Sequence, residues 1–110
     1  MGCGVIIPNN YEKAYERFIF KLDKQTLAKL TREIDLLESR GPILPEPYVK
    51  KIHKQIWELR IRGKIEVRIL YTIKNSNVYL ISWFIKKSQK TPLNEFRKAI
   101  ARLQYIAHMI

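Results

Sequence analysis

The chain has 110 residues, of which 46% are hydrophobic, and its formal net charge is +11 at pH 7. This length predicts one domain, residues 1–110, with a single modest core. No apolar run is long enough to cross a bilayer and no secretory signal is visible at the N-terminus, so we expect a soluble protein of the cytoplasm.

The chain offers few residues for disulfides or metal sites. Cys3 is the only cysteine, and His53 and His108 are far apart in the sequence. A disulfide needs a second thiol, and a metal site needs several ligands at a characteristic spacing. The sequence therefore predicts neither, and we assign no metal and no cofactor.

The positive charge is concentrated in the C-terminal part of the chain. Residues 1–49 carry seven basic and seven acidic side chains, whereas residues 50–110 carry fourteen Lys and Arg against three Glu. A polyanion that binds there would exchange its condensed counterions for contacts with Lys and Arg. This asymmetry favours RNA or DNA as a partner.

Two helices are predicted in the first half of the chain. Apolar residues recur at three- and four-residue intervals from Tyr11 to Leu22, behind a cap at Asn9-Asn10. A second apolar stripe follows the capping candidate Asp23 and stops at Gly41-Pro42. We expect these helices to form a hairpin, which a proline-rich loop then follows.

From Ile56 the apolar residues alternate with a period of two, which predicts strands. The first two strands cover about residues 56–61 and 65–73, and an odd loop around Gly63 puts their apolar rows on one face. In the predicted register Trp57 lies opposite Ile69, and Glu58 lies opposite Arg68.

A third strand is expected from Val78 to about Lys87. The same parity rule adds four of its residues to the core row, namely Tyr79, Ile81, Trp83 and Ile85. The opposite face then collects Arg60, Arg62, Arg68, Phe84 and Lys86. Arg68 would be exposed there and would contribute little to stability.

A closing helix is predicted after the cap Thr91 and the first-turn residue Pro92, and its apolar stripe extends to Ile106. The fold class is therefore α+β. We expect an N-terminal helical hairpin, an antiparallel twisted sheet of three to four strands and a C-terminal helix. An extra strand is possible over residues 4–7.

Three segments of the second half form a recognisable set, in order: Trp57-Glu58-Leu59-Arg60, Val67-Arg68-Ile69-Leu70-Tyr71, and the run from Phe84 to Pro92. From about Phe18 to its end the chain resembles the RelE/HigB superfamily of type II toxins, particularly its phage-derived HigB-like branch. The resemblance implies a RelE/ParE-like fold. It also implies a toxin that cuts messenger RNA in the ribosomal A site and is held inactive by a helix-turn-helix antitoxin of the HigA-like kind.

The same residues can be considered by their chemistry. Cleavage of RNA by its own 2′-oxygen needs a proton acceptor, a cation near the phosphate and a proton donor to the leaving 5′-oxygen. A lysine crowded by other cations has a lowered pKa and can transfer a proton near neutral pH. Together with the resemblance, this predicts five residues that hold and activate the scissile phosphate: Arg60, Arg68, Lys86, Lys87 and Lys90.

The two arginines in this set have a simpler interpretation, and the three lysines do not. Arg60 and Arg68 also fit a solvated polar face that Glu58 and Glu66 neutralise. The three lysines, by contrast, have no acidic neighbour in the sequence until Glu95, and such repulsion favours an anionic partner.

Other residues are candidates for contacts with RNA rather than for catalysis. The aromatic ring of Phe84 could stack on a base. Basic side chains elsewhere could contact phosphates, and these are Arg62, Lys50, Lys51, Lys54 and Arg97.

The sequence therefore predicts a metal-independent, ribosome-dependent endoribonuclease of the toxin type. The histidine-tyrosine-aspartate arrangement of some relatives is missing, so catalysis would rest on Arg and Lys. Two alternatives remain: a ParE-like toxin that acts on a topoisomerase without cutting RNA, and a basic RNA-binding module without catalytic activity.

Overall fold

The computed structural model describes residues 3–87 and 89–108, except for the side chain of Asn9. Within these residues a 3₁₀ turn covers Asn9–Tyr11, and none of the helices is long and apolar enough to traverse a bilayer. The helices and strands, in chain order, are β1 (Val5–Ile6), α1 (Glu12–Phe20), α2 (Lys24–Arg40), β2 (Val49–His53), β3 (Ile56–Ile61), β4 (Val67–Lys74), β5 (Asn77–Ile85) and α3 (Leu93–Ala107).

One mixed sheet lies at the centre of the α+β fold. Its five strands have the order β1-β5-β4-β3-β2, and β1 runs parallel to β5 while the other neighbours are antiparallel. The predicted antiparallel sheet of three to four strands is therefore wrong, although β1 lies where an extra strand was considered possible. The sequence analysis missed β2, because most of its side chains are exposed at the edge of the sheet and show no apolar alternation.

The two N-terminal helices pack on the sheet and do not form the predicted hairpin. Within the sheet, α1 packs mainly on β5, and α2 packs mainly on β1 and β3. The ring of Tyr15 meets that of Trp83 edge to face, at 5.1 Å between centroids. Leu30 and Leu37 of α2 are buried against the same sheet. A sheet face buries more apolar area than a second helix offers, so both helices use it.

The predicted limits of α2 are confirmed. Asp23 is its N-cap and accepts a hydrogen bond from the backbone N–H of Thr26 at 3.2 Å. Gly41 is its C-cap, with a φ of 105° that favours glycine. The start of α1 differs from the prediction, because the 3₁₀ turn precedes it and its N-cap is Tyr11 without a side-chain cap.

The β3–β4 hairpin has the predicted parity but not the predicted register. Trp57 lies opposite Tyr71, and Glu58 lies opposite Leu70. The last pair is Ile61 with Val67, so the connection is residues 62–66. It is two residues longer than the connection in the predicted register, which is residues 62–64. An odd loop of either length keeps the apolar rows on one face. The longer loop, however, places Arg60 directly opposite Arg68.

A β-bulge in β5 changes which side chains face each layer. Ser82 pairs with Leu70 and Leu80 pairs with Tyr71, which leaves Ile81 as the extra residue. A bulge shifts the alternation by one position, so the predicted core row of β5 is wrong up to Ile81, and Ile85 at its end is exposed rather than in the core. Val78 and Leu80 join the layer under α1 and α2, whereas Tyr79 and Ile81 join the layer under α3.

The sheet consequently has an apolar cluster on each face rather than the single core that was expected. The first cluster lies under α1 and α2. The second lies under α3, whose predicted apolar stripe is confirmed at Ala99, Leu103 and Ile106. Phe84 belongs to this second cluster and is 6% exposed. Its ring is packed against the helix, so the prediction that it stacks on a base is wrong.

The β4–β5 turn provides a test of the hairpin geometry. Asn75 and Ser76 have φ values of 52° and 65°, as a two-residue type I′ turn requires. Glycine adopts positive φ without the steric cost of a Cβ, so Ser76→Gly should raise the free energy of unfolding by roughly 0.5–1 kcal/mol in chemical denaturation. Ala28→Gly, at an exposed position within α2, should instead lower it by about 1 kcal/mol. A loss of stability at both positions would contradict this turn.

Candidate functional site

An open cleft lies where the last residues of β3, the first of β4 and the segment after β5 meet. It is at the end of the sheet away from the Asn75–Ser76 turn and has a volume of about 890 Å³. Six cations and one carboxylate line it, together with one amide. The lining residues are Lys50, Arg60, Arg62, Glu66, Arg68, Lys86, Lys87 and Gln89.

Two arginines face each other across the centre of this cleft. Arg60 and Arg68 are direct partners in the β3–β4 ladder, a placement in which like charges repel. The carboxylate of Glu58 compensates for this repulsion. Its Oε1 accepts a hydrogen bond from Arg60 Nε at 3.0 Å and lies 3.9 Å from Arg68 Nε, so Glu58 neutralises both arginines, as the simpler interpretation of this face expected.

Glu58 is also tied to the segment that precedes α3. Its Oε2 accepts a hydrogen bond from the hydroxyl of Thr91 at 3.4 Å. The N-cap of α3 is Pro92 and has no side-chain cap, so the predicted capping role of Thr91 is wrong. Glu58 is only 2% exposed, and its two oxygens thus link β3, β4 and the start of the helix.

Arg68 was predicted to be exposed, but it is buried, with a relative exposure of 2%. Its Nη2 donates to Glu66 Oε1 at 2.6 Å, and its Nη1 donates to the carbonyl of Val67 at 3.1 Å. The hydrogen bond from Arg68 lowers the pKa of Glu66. These contacts hold the guanidinium of Arg68 in one orientation at the floor of the cleft.

Lys86 has an acidic neighbour that is distant in sequence. Its backbone N–H donates to the carbonyl oxygen of Glu66 at 2.8 Å, and its charge contributes to the lowered pKa of Glu66. The lysines have no acidic neighbour in the sequence before Glu95, but strand pairing brings Glu66 beside Lys86. Lys86 is half-buried and Lys87 is exposed.

The cleft brings together six of the basic residues predicted from the sequence. Four of the five proposed catalytic residues line it, and so do two of the proposed RNA contacts: Arg60, Arg68, Lys86, Lys87, Arg62 and Lys50. Lys90 is exposed beyond the lining. Glu66 and Gln89 also line the cleft, although the sequence analysis proposed no functional role for either.

The remaining proposed RNA contacts lie elsewhere. Lys51 is paired with Trp57 in the β2–β3 ladder, and its Nζ lies 5.1 Å from the centroid of that ring, on the other face of the sheet. Lys54 is in the turn between β2 and β3, at the opposite end of β3 from Arg60. Arg97 is exposed on α3 and does not line the cleft.

A second, smaller cleft of about 250 Å³ adjoins the first. It lies between α2, the segment before β2 and the end of β3, and it shares Arg60 and Arg62 with the larger cleft. The other lining residues are Lys29, Arg32, Glu33, Leu36, Pro47 and Tyr48.

Glu33 is the unusual residue of the second cleft. It is 8% exposed, and its Oε1 has no hydrogen-bond partner among the described residues. Burial raises the pKa of Glu33 to about 7, against the opposing influence of Lys29, Arg32 and Arg68. The sequence analysis did not identify it. Glu33 is three residues after Leu30 and four before Leu37, and this spacing on the apolar face of α2 could have indicated that its carboxyl group is buried.

The arrangement of the larger cleft suits a phosphate. Guanidinium groups donate paired N–H groups that match phosphate oxygens, and a buried guanidinium is already oriented before the anion binds. Across residues 3–87 and 89–108, no group of three or more His, Cys, Asp or Glu side chains is placed to hold a metal ion. The side chains that line the larger cleft supply guanidinium and ammonium groups, one amide and the carboxylate of Glu66, whose pKa is lowered.

Comparison with known proteins agrees with the motifs in the sequence. Residues 17–104 match the family described as phage-derived proteins of the Gp49-like type (DUF891). A protein of Mycobacterium tuberculosis named "Putative toxin HigB3" is 40% identical over 60 residues. That alignment covers 51% of this chain and 52% of the relative, so the chain spans about half of that protein. The resemblance to the phage-derived HigB-like branch is confirmed.

The burial of Arg68 reverses the stability expected from the sequence. Arg68→Ala would leave Glu58 with only part of its compensating charge, so it should lower the free energy of unfolding by roughly 3 kcal/mol. Arg62 is half exposed and 3.8 Å from Glu66, and Arg62→Ala should cost less than about 1 kcal/mol. Chemical denaturation of both variants measures the difference. Equal losses would contradict the buried position of Arg68.

The raised pKa of Glu33 predicts a pH-dependent stability. Because the folded chain binds this proton more tightly than the unfolded chain, the contribution of Glu33 is fully present below its unfolded pKa and is lost as the pH rises towards 7. Glu33→Gln should therefore be more stable than the parent by roughly 1–3 kcal/mol at pH 8. The gain should shrink at pH 5.

Thermal unfolding at the two pH values measures this effect. Glu38→Gln, at an exposed position of the same helix, is the matched control and should change little at either pH. A gain for Glu33→Gln of equal size at both pH values would contradict the assignment.

Proposed function

The chain belongs to the Gp49-like family of phage-derived proteins, and on this premise we propose that it is the toxin of a type II toxin–antitoxin system. The toxin would be a metal-independent endoribonuclease that cuts messenger RNA in the ribosomal A site. The observation that carries the proposal is the cleft in which Arg60 and Arg68 face each other around Glu58.

The proposed reaction is attack by the RNA 2′-oxygen on the adjacent phosphorus. The 2′-hydroxyl loses its proton, the bond from phosphorus to the 5′-oxygen breaks, and a cyclic phosphate and a 5′-hydroxyl remain. Negative charge grows on the phosphate oxygens during this step. Arg60 and Arg68 would stabilise that charge, because donors that are already oriented need no rearrangement when the charge develops.

Two lysines are the proposed proton donors and acceptors of the reaction. These are Lys86 and Lys87, which border the same cleft. Glu66 also lines it, but its lowered pKa makes it a weak base. Lys90 lies outside the lining and would contact the RNA backbone further along, as we also propose for Lys50 and Arg62 within the cleft.

We expect cleavage to depend on the ribosome, because the cleft has few groups that can transfer protons and free RNA should be cut slowly. A ribosome that holds the messenger in an ordered conformation raises the effective concentration of the reacting groups. We further propose that the domain of residues 1–110 acts in the cytoplasm, and that a helix-turn-helix antitoxin binds and inactivates it.

The proposal predicts growth arrest when the chain is produced without a partner. Lys86→Ala should relieve the arrest and lower the single-turnover rate of cleavage on ribosomes by roughly a hundredfold, because it removes a cation beside the reacting phosphate. Arg97→Ala removes the same charge outside the cleft and is the matched control. It should arrest growth and cut like the parent.

The outcomes separate the alternatives. Rapid cleavage of free RNA without stimulation by ribosomes would contradict the ribosome-dependent mechanism. Equal effects of Lys86→Ala and Arg97→Ala would mean that general charge matters and the cleft does not. Growth arrest without any cleavage, accompanied by inhibition of a topoisomerase, would favour the ParE-like function.

A further inference from the structure

The second cleft continues the surface on which the reacting phosphate would lie. Arg60 and Arg62 border both clefts, so a strand of RNA that contacts them can extend from one into the other. The smaller cleft has a volume of about 250 Å³, which is below the usual range for a drug-sized ligand and suits a single base.

Two contacts hold the walls of the second cleft at a fixed separation. Lys29 Nζ donates to the carbonyl of Arg62 at 2.7 Å, which ties α2 to the end of β3. The backbone N–H of Arg60 donates to the carbonyl of Tyr48 at 2.8 Å, which ties the segment before β2 to the same strand. The cleft therefore exists before any ligand binds, and ordering it costs little.

The second cleft contains a platform and a polar group for a base. Tyr48 lines one wall and is 41% exposed, so its ring is available for stacking. Glu33 lines the cleft from α2, and its Oε1 lacks a hydrogen-bond partner among the described residues. Such an unsatisfied buried acceptor is costly, and a ligand N–H would satisfy it. The last torsion of a glutamate side chain is broad, so a partial rotation of the carboxyl group would bring both oxygens to the wall of the cleft.

We propose that this second cleft binds the base of a nucleotide adjacent to the scissile phosphate, and that it prefers guanine. The inference rests on the function proposed above. Guanine offers two neighbouring N–H donors on its Watson–Crick edge, and a carboxylate can accept both at once. Adenine, cytosine and uracil do not offer such a pair, so each of them leaves one carboxylate oxygen without a donor.

The protonation of Glu33 should make the preference for guanine depend on pH, and several cations influence that protonation. Lys29 and Arg32 face it from its own helix, Arg60 and Arg62 border the cleft from the end of β3, and Arg68 acts on it from β4. Burial nevertheless raises the pKa of Glu33 to about 7. The carboxyl group is therefore mostly neutral at pH 6 and can no longer accept two hydrogen bonds. The preference for guanine should be weaker at pH 6 than at pH 8.

The test is equilibrium binding of short single-stranded RNAs to the full chain. The probes are fluorescent pentamers with 2′-O-methyl groups, which cannot react, and they differ only in the central base. The parent should bind the guanine pentamer roughly tenfold more tightly than the adenine pentamer at pH 8, as one bidentate contact commonly provides. Glu33→Gln should reduce the preference to about threefold or less at both pH values.

Tyrosine variants test the stacking platform separately. Tyr48→Ala should weaken binding of all pentamers by roughly tenfold, while Tyr48→Phe should bind like the parent, because stacking needs only the ring. Tyr105→Ala, at an exposed position of α3, is the matched control and should change nothing.

The failure of this inference can be distinguished from failure of the proposed function. A parent that shows no base preference, a preference that survives Glu33→Gln, or no binding of any pentamer would overturn the guanine subsite. Ribosome-dependent cleavage by the parent would still support the endonuclease in each of these cases. Conversely, a guanine preference that depends on Glu33 in a chain that cuts no RNA would support the subsite and contradict the endonuclease.

Discussion

The carboxylate of Glu58, buried between two arginines, is the interaction on which the arrangement of the larger cleft depends. The β3–β4 register sets Arg60 against Arg68, and two like charges at that position destabilise the strand pair without a counter-charge. Glu58 lies within 4 Å of both and is almost fully buried, so its field is weakly screened. Thr91 adds a hydrogen bond from the segment before α3. The positive cleft thus exists because a negative group lies beneath it.

The bulge in β5 sets which of its side chains face each layer. Before Ile81 the even-numbered residues Val78 and Leu80 face the N-terminal helices, and after it the even-numbered Phe84 faces α3. A bulge leaves a backbone group outside the ladder, and here the carbonyl of Ile81 accepts a hydrogen bond from Arg102 Nη1 at 2.9 Å. The same guanidinium lies 3.9 Å from the centroid of Tyr11, so one side chain connects α3, the bulge and the start of α1.

Periodicity was sufficient to predict α2, α3 and the shared face of β3 and β4, and capping residues fixed the limits of α2. The register was not predictable, because loops of three and five residues have the same parity and differ only in the packing they permit. The burial of Arg68 was hidden for a related reason: an alternating pattern indicates a solvated polar face, and only the tertiary structure shows that Arg68 is covered there. The motifs identified most of the cleft. They did not show that Lys50 lines the cleft while Lys51 lies on the other face of the sheet, because the alternation of these side chains depends on β2, which was not predicted.

The positions of the basic side chains also limit what the net charge can say about binding. Only six of the fourteen Lys and Arg in residues 50–110 line the larger cleft. Others bind backbone carbonyls: Arg102 at the bulge, and Lys74, whose Nζ donates to the carbonyl of Ile106 in the last turn of α3 at 2.7 Å. If the chain binds RNA as proposed, the number of phosphates it neutralises, and with it the salt dependence of binding, should follow from the residues at and beside the cleft and not from the total of +11. A strongly basic composition indicates a polyanion as partner, but part of that charge stabilises the fold.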